Sequence, residues 1–339
     1  MSSSPEGART GGELEPIRLR SGAGLAADIL PYGARLAALR VPRAGEAVDV
    51  VLGYPAVADF LTDRGYLGAA IGRVSGRIGS AGFTLQGERF HLETNAAPHH
   101  LHGGTPGLHA RLWKLLSVDD GHVVLAARLP ATESGYPGNL HVQFAFTLDG
   151  LALQLDMTAV TDAPTPVALT YHPYFNLGGS AGDCRDHVLQ LAADHWLELD
   201  DTLIPTGRRL PVADTPFDFR VPARPATRLP SCHPQLHLAQ GFDHTFVLDV
   251  GRRWDARLSH PGTGLTLEVL SDQPGLQFYA GQWLEPGGSA PWRAGEGLCL
   301  EPQGFPDAVN RPEFPAPWLL PGEVYRKRIR YAFSGGTTT

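Results

Sequence analysis

Apolar and polar residues alternate with a period of two through much of this chain, as expected for strands that bury one face. The clearest example is residues 142–148, where Val, Phe, Phe and Leu occupy every second position, and residues 151–157 repeat the pattern. Asp149-Gly150 separates the two runs, and both residues tolerate the positive φ of a two-residue hairpin turn. We therefore predict a hairpin over residues 142–158 that turns at Asp149-Gly150.

Three other segments carry the same alternation. We predict a hairpin over residues 82–93 that turns at Gln86-Gly87, and strands at residues 265–269 and 325–333. The polar face of the last strand carries the basic row Arg326, Arg328 and Arg330. In an acidic protein such a row is typical of a solvated outer face rather than of a nucleic-acid contact.

Helical periodicity is scarce. Residues 55–63 could form two helical turns, because a proline stands near the start and apolar residues follow. Residues 211–234 are rich in Pro and Ala, and Phe217 and Phe219 within them indicate a surface loop packed onto the body. The pattern therefore predicts an all-β fold, a large antiparallel β-sandwich.

Composition limits the class of protein. The chain has 339 residues, 42% of them hydrophobic and 9% aromatic, which is typical of a well-packed globular protein. A formal net charge of −7 gives no electrostatic reason to expect nucleic acid or an anionic membrane as partner. No run approaches the roughly 18 apolar residues that cross a bilayer.

The termini and the cysteines allow further predictions. Residues 1–15 lack the apolar core of a secretory signal, so we expect a disordered tail there, one domain over residues 16–334 and a short tail at 335–339. Cys184, Cys232 and Cys299 are too far apart for a zinc motif or a disulfide framework. We expect a cytoplasmic protein.

Residues 171–178, Tyr-His-Pro-Tyr-Phe-Asn-Leu-Gly, are the most informative motif. A histidine directly before proline is pushed towards extended geometry, so it cannot lie inside a regular helix. Taken alone, the motif would be read as a buried aromatic turn. Four more motifs accompany it: Leu-His-Gly-Gly at 101–104, Gly-Phe-Asp-His at 241–244, Gln-Phe-Tyr at 277–279 and Leu-Glu-Pro-Gln at 300–303.

In this order the motifs resemble those of the aldose 1-epimerase (galactose mutarotase) family. The resemblance implies the galactose-mutarotase-like supersandwich over nearly the whole chain. Interconverting the anomers of an aldose requires ring opening, rotation about C1–C2 and closure, for which one acid and one base suffice. An imidazole pKa of about 6.5 suits the acid without special tuning. The resemblance implies that His172 is this acid and Glu301 the base.

The resemblance also implies a set of sugar-binding residues. Arg77 matches an arginine that contacts substrate hydroxyls, and His102 a histidine that holds the sugar near its ring oxygen. Asp243 matches an aspartate that accepts hydrogen bonds from hydroxyls, and Gln277 an amide near the reacting end. Gly76 stands where many members have a substrate-contacting asparagine, so one hydroxyl contact is missing or is made by water.

Two histidine clusters raise the question of a metal. His99, His100 and His102 lack a nearby carboxylate or thiolate, and His233 and His237 lie in a proline-rich loop that need not have helical register. We expect adventitious metal binding at most. The chain has neither GxGxxG nor a P-loop, so we expect no cofactor.

The leading prediction is an aldose 1-epimerase that acts on free hexoses such as galactose or glucose. The expected partner is a small monosaccharide, with no nucleic acid or membrane, and the protein is expected to be a monomer or weak homodimer. One alternative is an epimerase for another aldose or for a sugar phosphate, although only Arg73 and Arg77 near the motifs could bind phosphate. Others are a non-catalytic carbohydrate-binding sandwich and a glycosidase using Glu301 and Asp243.

Overall fold

The computed structural model describes residues 14–43, 46–179, 182–229, 231–285, 287 and 289–335. Tails were predicted at residues 1–15 and 335–339. Of these, residues 1–13 and 336–339 lie outside the described part of the chain. The strands, numbered in chain order, are β1 (Ile17–Arg20), β2 (Ala26–Leu30), β3 (Arg35–Val41), β4 (Val48–Asp49), β5 (Ala69–Ile71), β6 (Arg77–Ile78), β7 (Gly82–Leu85), β8 (Glu88–His91), β9 (His100–Leu101), β10 (Lys114–Val118), β11 (His122–Leu129), β12 (Leu140–Asp149), β13 (Ala152–Thr161), β14 (Thr165–Pro166), β15 (Thr170–His172), β16 (Tyr174–Phe175), β17 (Val188–Leu191), β18 (His195–Leu199), β19 (Pro205–Pro211), β20 (Asp243–Val247), β21 (Ala256–Ser259), β22 (Thr266–Ser271), β23 (Gly275–Tyr279), β24 (Leu298–Gln303), β25 (Trp318–Leu319) and β26 (Tyr325–Ser334).

Helix is rare. The described residues contain one α-helical segment, α1 (Pro234–Leu238), and short 3-10 turns at Val57–Leu61, Gly79–Ala81, Leu108–Ala110, Glu133–Gly135, Cys184–Asp186, Pro225–Thr227 and Ala308–Asn310. No helix in the described ranges is long and apolar enough to cross a lipid bilayer.

Two antiparallel sheets dominate the architecture. One has eight strands in the order β10-β11-β12-β13-β26-β22-β21-β17, and the other six in the order β16-β24-β23-β20-β18-β19. Inward-facing residues of both sheets, such as Phe144, Tyr331, Phe246 and Phe278, belong to one buried hydrophobic cluster. The predicted all-β antiparallel sandwich is therefore confirmed.

The β12/β13 hairpin forms as predicted, but its turn is displaced. Asp149 pairs with Ala152, so the turn residues are Gly150 and Leu151 rather than Asp149 and Gly150. Gly150 has a φ of 57° and Leu151 is not among the residues with positive φ. A type II′ turn needs positive φ only at its first central position, where glycine is preferred. Asp149 is thereby left as the last residue of β12.

Other predicted strands are confirmed. β7 and β8 pair around Gln86 and Gly87, whose φ values of 51° and 85° suit a type I′ turn. Strands β22 and β26 also lie where alternation predicts them. The basic row of β26 faces outwards, where Arg328 Nε lies 2.6 Å from Asp156 Oδ1 on β13.

Two local predictions are wrong. Residues 55–63 form a single 3-10 turn, Val57–Leu61, in which Phe60 is buried and no side chain caps the first turn. His233 and His237 were predicted to lie in a proline-rich loop that need not have helical register, but α1 lies there, with Pro234 in the first turn. The His237 N–H donates to the His233 carbonyl at 3.2 Å, because Pro234 has the φ that starts a helix.

Candidate active site

An open cleft of about 400 Å³ lies over one face of the six-stranded sheet. All seven residues that the sequence nominates line it: Gly76, Arg77, His102, His172, Asp243, Gln277 and Glu301. They come from distant parts of the chain, so the strand pairing brings them together.

Alternation along β20, β23 and β24 explains why these side chains share one face. Asp243 pairs with Tyr279, and Gln277 pairs with Glu301. Side chains directly opposite each other project to the same side of a sheet, as do residues two apart. The intervening residues, such as Phe278 and Leu300, point into the core instead. The register therefore places a carboxylate, an amide and the Glu301 carboxyl side by side.

His172 approaches the cleft from β15. Its neighbour Tyr171 points into the core, where its hydroxyl donates to the Ala34 carbonyl at 3.0 Å. Because successive side chains of a strand alternate, the imidazole of His172 faces the cleft. Pro173 then separates β15 from β16. The ring of Tyr174 packs against the imidazole at 5.0 Å between centroids.

His172 and Glu301 form the central pair. Nε2 of His172 lies 3.6 Å from Oε1 of Glu301, and both side chains are almost fully buried. The separation exceeds a hydrogen bond, so the two groups face one another without a direct bond. Nδ1 of His172 lies 3.4 Å from Sγ of Cys299.

Burial opposes the charge on both members of the pair. It lowers the pKa of His172 to about 4 and raises the pKa of Glu301 well above its ordinary value, with a further contribution from the negative charge of Asp243. The expectation that His172 keeps a pKa near 6.5 is therefore wrong. Burial favours the neutral form of both groups, in which the shared proton is on Glu301.

A chain of hydrogen bonds fixes the polar wall of the cleft. The Gln277 amide Nε2 donates to Asp243 Oδ1 at 2.7 Å, and the Thr245 hydroxyl donates to Gln277 Oε1 at 2.5 Å. Arg77 NH1 lies 3.9 Å from Asp243 Oδ2. Because Asp243 is held from two sides, its remaining acceptor positions have a defined direction towards a bound molecule.

His102 presents a hydrogen-bond donor to the cleft. The Gly76 N–H donates to Nδ1 of His102 at 3.2 Å, so the proton of the neutral ring is on Nε2. Burial and the neighbouring cations lower the pKa of His102 well below its ordinary value, so the ring is neutral. The centroid of its ring lies 4.7 Å from that of Tyr66 and 5.6 Å from that of His172.

Neighbouring atoms leave little room for a side chain at position 76. The φ of Gly76 is +71°, and a Cβ at this position would lie 2.9 Å from Cβ of Pro306. Pro306 therefore occupies the space that a larger residue at position 76 would need. An asparagine here would require Pro306 to move.

Several residues considered from the sequence have structural roles. Arg73 does not line the cleft; its buried guanidinium donates to the Pro137 carbonyl at 2.7 Å and to the Thr165 hydroxyl at 2.9 Å. His99 Nδ1 accepts from the Ser80 N–H, and His100 Nδ1 donates to the Glu93 carbonyl. Arg73 is therefore not available to a phosphate in the cleft.

One group within the described ranges could hold a metal ion: His172, Cys299 and Glu301, whose ligand atoms lie within 4.8 Å of one another. The sulfur faces Nδ1, whereas the carboxyl oxygen faces Nε2. An ion bound by all three would need one ring nitrogen to point at both ligands, so the imidazole would have to turn. The arrangement fits a metal poorly.

Sequence reasoning missed several residues of the cleft. These are wall and rim residues: Arg64, Tyr66, Tyr174, Thr245, Tyr279, Trp283, Gln303 and Pro306. Three of them stand two positions from a nominated residue on the same strand: Thr245 from Asp243, Tyr279 from Gln277 and Gln303 from Glu301. The period of two was the signal that could have found them.

Comparison with known proteins identifies the family of the chain. The sequence model of the family described as aldose 1-epimerase matches residues 15–332. The chain is 42% identical to galactose mutarotase of Rattus norvegicus over 334 residues, which cover 96% of this chain and 95% of that protein.

Solved structures agree as well. An aldose epimerase homologue from C. elegans superposes with a TM-score of 0.89 at 30% identity, covering 95% of this chain and 99% of that one. Galactose 1-epimerase from Lactobacillus acidophilus superposes with a TM-score of 0.85 at 30% identity, covering 95% of each chain. Because its sequence and its fold both match those of known members, the chain belongs to the aldose 1-epimerase family.

Proposed function

We propose that this protein is an aldose 1-epimerase that interconverts the α and β anomers of free hexoses such as galactose and glucose. The observation that carries the proposal is the buried pair of His172 and Glu301, 3.6 Å apart at the base of a cleft lined by hydrogen-bonding groups. The relative with 42% identity is named galactose mutarotase. An acid and a base at this separation can act on the ring oxygen and the anomeric hydroxyl of one pyranose.

Each group has one role in ring opening. Nε2 of His172, protonated, gives its proton to the ring oxygen while the Glu301 carboxylate takes the proton of the anomeric hydroxyl. The ring C–O bond breaks and C1 becomes an aldehyde. After rotation about C1–C2, the same two transfers run in reverse and close the ring on the other face of the carbonyl. The pair gains and loses one proton in each direction, so no other reactant is needed.

The effect of burial on the pair favours the opening step. The reactive form is an imidazolium beside a carboxylate, whereas after opening both groups are neutral. Since burial lowers the pKa of His172 to about 4 and raises that of Glu301, the imidazolium is a strong acid and the carboxylate a strong base. The neutral form of the pair, which burial favours, has its proton on Glu301, as the pair does after ring opening.

The other nominated residues bind and orient the sugar. Asp243, held by Gln277, accepts hydrogen bonds from hydroxyl groups, and Arg77 donates to them. The Nε2–H of His102 donates near the ring oxygen. The rings of Tyr66 and Trp283 on the cleft wall offer apolar surface to the C–H face of a pyranose.

The free sugar is favoured over a sugar phosphate. Arg73 is buried outside the cleft, and Arg77 already lies beside Asp243. Arg64, at the exposed rim, is the remaining arginine of the described lining. We further propose a single domain over residues 16–334 and a cytoplasmic monomer or weak homodimer that binds neither nucleic acid nor membranes.

Polarimetry tests the proposal directly. Freshly dissolved α-D-galactose and α-D-glucose should reach their equilibrium rotation faster with the protein than without it. The doubly substituted variant His172→Asn/Glu301→Gln should leave the spontaneous rate unchanged. Galactose 6-phosphate and a chromogenic galactoside serve as comparison substrates for the alternatives. No acceleration with either free hexose would overturn the proposed function.

A further inference from the structure

Cys299 contacts the side of His172 that faces away from Glu301. Its Sγ lies 3.4 Å from Nδ1, and both residues are buried. No step proposed above uses this thiol. It is nevertheless the side-chain partner that the structure gives to Nδ1, the ring nitrogen that does not meet Glu301.

The arrangement follows from the strand. Cys299 and Glu301 are two positions apart on β24, so both side chains project from the same face. The sulfur and the carboxyl are therefore presented to the two nitrogens of one imidazole. The ring of Tyr174 packs against the imidazole at 5.0 Å and restricts its rotation. Each nitrogen consequently has a fixed neighbour.

The proposed chemistry requires the two nitrogens to differ. If Nε2 exchanges its proton with the sugar, Nδ1 must keep its own proton throughout the cycle. A neutral imidazole carries one proton, and the hydrogen bond at one nitrogen decides which tautomer is present. A partner that accepts from Nδ1–H would leave Nε2 free to lose and regain a proton.

We propose that Cys299 is a positioning residue, whose Sγ accepts a hydrogen bond from Nδ1–H of His172 and so reserves Nε2 for the proton exchanged with the sugar. This inference rests on the proposed function. Burial raises the pKa of the Cys299 thiol well above its ordinary value, so the partner stays uncharged. A carboxylate at this position would stabilise the imidazolium and weaken it as an acid, whereas a neutral sulfur is only a weak acceptor.

The test compares the parent protein with Cys299→Ala and Cys299→Ser. In ¹⁵N NMR spectra at neutral pH, His172 of the parent should show a pyrrole-like Nδ1 and a pyridine-like Nε2. Cys299→Ala should move both resonances towards intermediate values, because the two tautomers then exchange. The kcat for galactose should fall about 3- to 10-fold in Cys299→Ala, the range expected for one lost hydrogen bond.

Cys299→Ser serves as the conservative variant, because the hydroxyl oxygen can also accept from Nδ1–H. It should keep the parent tautomer and retain kcat within about threefold. Cys184→Ala is the matched control, since Cys184 is also a buried free thiol but lies in the 3-10 turn Cys184–Asp186 rather than on β24. It should change neither the His172 resonances nor kcat.

Three results would overturn the inference. They are a parent protein with its proton on Nε2, a Cys299→Ala variant with unchanged resonances, and equal losses of kcat in Cys299→Ala and Cys184→Ala. The NMR measurement does not depend on activity. If the parent shows the expected tautomer but does not accelerate mutarotation, the proposed function fails while the contact between Cys299 and His172 stands.

Discussion

Nε2 of His172 faces Oε1 of Glu301 at 3.6 Å, in surroundings that disfavour the charged form of each. The desolvation that lowers the pKa of the imidazole also raises that of the carboxyl. Burial therefore disfavours the ion pair that these two groups would form on an exposed surface. This relationship determines how the site should respond to substitution and to pH.

Removing either member of the pair should remove most of the activity. Glu301→Gln and His172→Asn preserve approximate shape, and each should lower kcat by about 10²- to 10⁴-fold, the usual contribution of a general acid or base. Polarimetry gives the rates, and calorimetric titration with galactose tests whether the sugar still binds. A Glu301→Gln rate within about threefold of the parent would show that the base lies elsewhere.

The pH dependence of kcat/KM should be bell-shaped. Activity requires one proton on the pair, and it is lost when the pair holds two protons or none. With the pKa of His172 lowered to about 4, the acidic limb should lie near pH 4. The alkaline limb should reflect Glu301, whose pKa is raised by burial. A profile in which activity falls with an apparent pKa near 6.5 on the acidic side would contradict this assignment.

Asp243→Asn should move the alkaline limb to lower pH. The negative charge of Asp243 contributes to the raised pKa of Glu301, so its removal makes the Glu301 carboxylate easier to form. Asn retains an oxygen that can accept from Gln277, which limits structural change. The control is Asp149→Asn, because Asp149 is an exposed carboxylate at the end of β12. This variant should leave the alkaline limb in place. An unmoved limb in Asp243→Asn would show that the two carboxyl groups are not coupled.

Gly76→Asn should change KM or sugar preference much more than it changes kcat at saturation. The new side chain would meet Pro306, whose Cβ lies 2.9 Å from the position of the added Cβ. Gly87→Asn is the matched control, because Gly87 also has positive φ but has no neighbour within 4 Å of an added Cβ. KM values for galactose and glucose measure the effect. If the two variants change KM equally, backbone strain rather than contact with Pro306 would explain the effect.

The free energy of unfolding should fall as the pH is lowered from about 6.5 to about 4. Burial lowers the pKa of His109, His172 and His187 to about 4, so in this window the unfolded chain takes up protons that the folded protein does not. Glu301, Asp49 and Asp255 act in the opposite direction, since their folded-state pKa values are raised. They are outnumbered by the eight histidines whose folded-state pKa values are lowered. Urea unfolding followed by tryptophan fluorescence at several pH values measures the slope. Constant stability across the window would contradict the prediction.

Local pattern was sufficient to predict six of the described strands, because alternation reports which face of a strand is buried. It identified β7, β8, β12, β13, β22 and β26, and the motifs around His172 and Glu301 identified residues that line one cleft. The local pattern did not predict the correct position of the β12/β13 turn. Pairing along the whole hairpin sets the register, and this register places the turn at Gly150 and Leu151.

Other features depend on groups that meet only after folding. Nothing near Cys299 in the sequence indicates that its sulfur lies against Nδ1 of His172, or that Pro306 fills the space beside Gly76. Likewise, Arg73 and Arg77 are four positions apart in the sequence, yet only Arg77 reaches the cleft. The pKa values of the central pair depend on desolvation by all the surrounding atoms. Sequence by itself determined which residue types are available to the chemistry, whereas the tertiary structure decided their distances and their charge states, because both arise from contacts between distant segments.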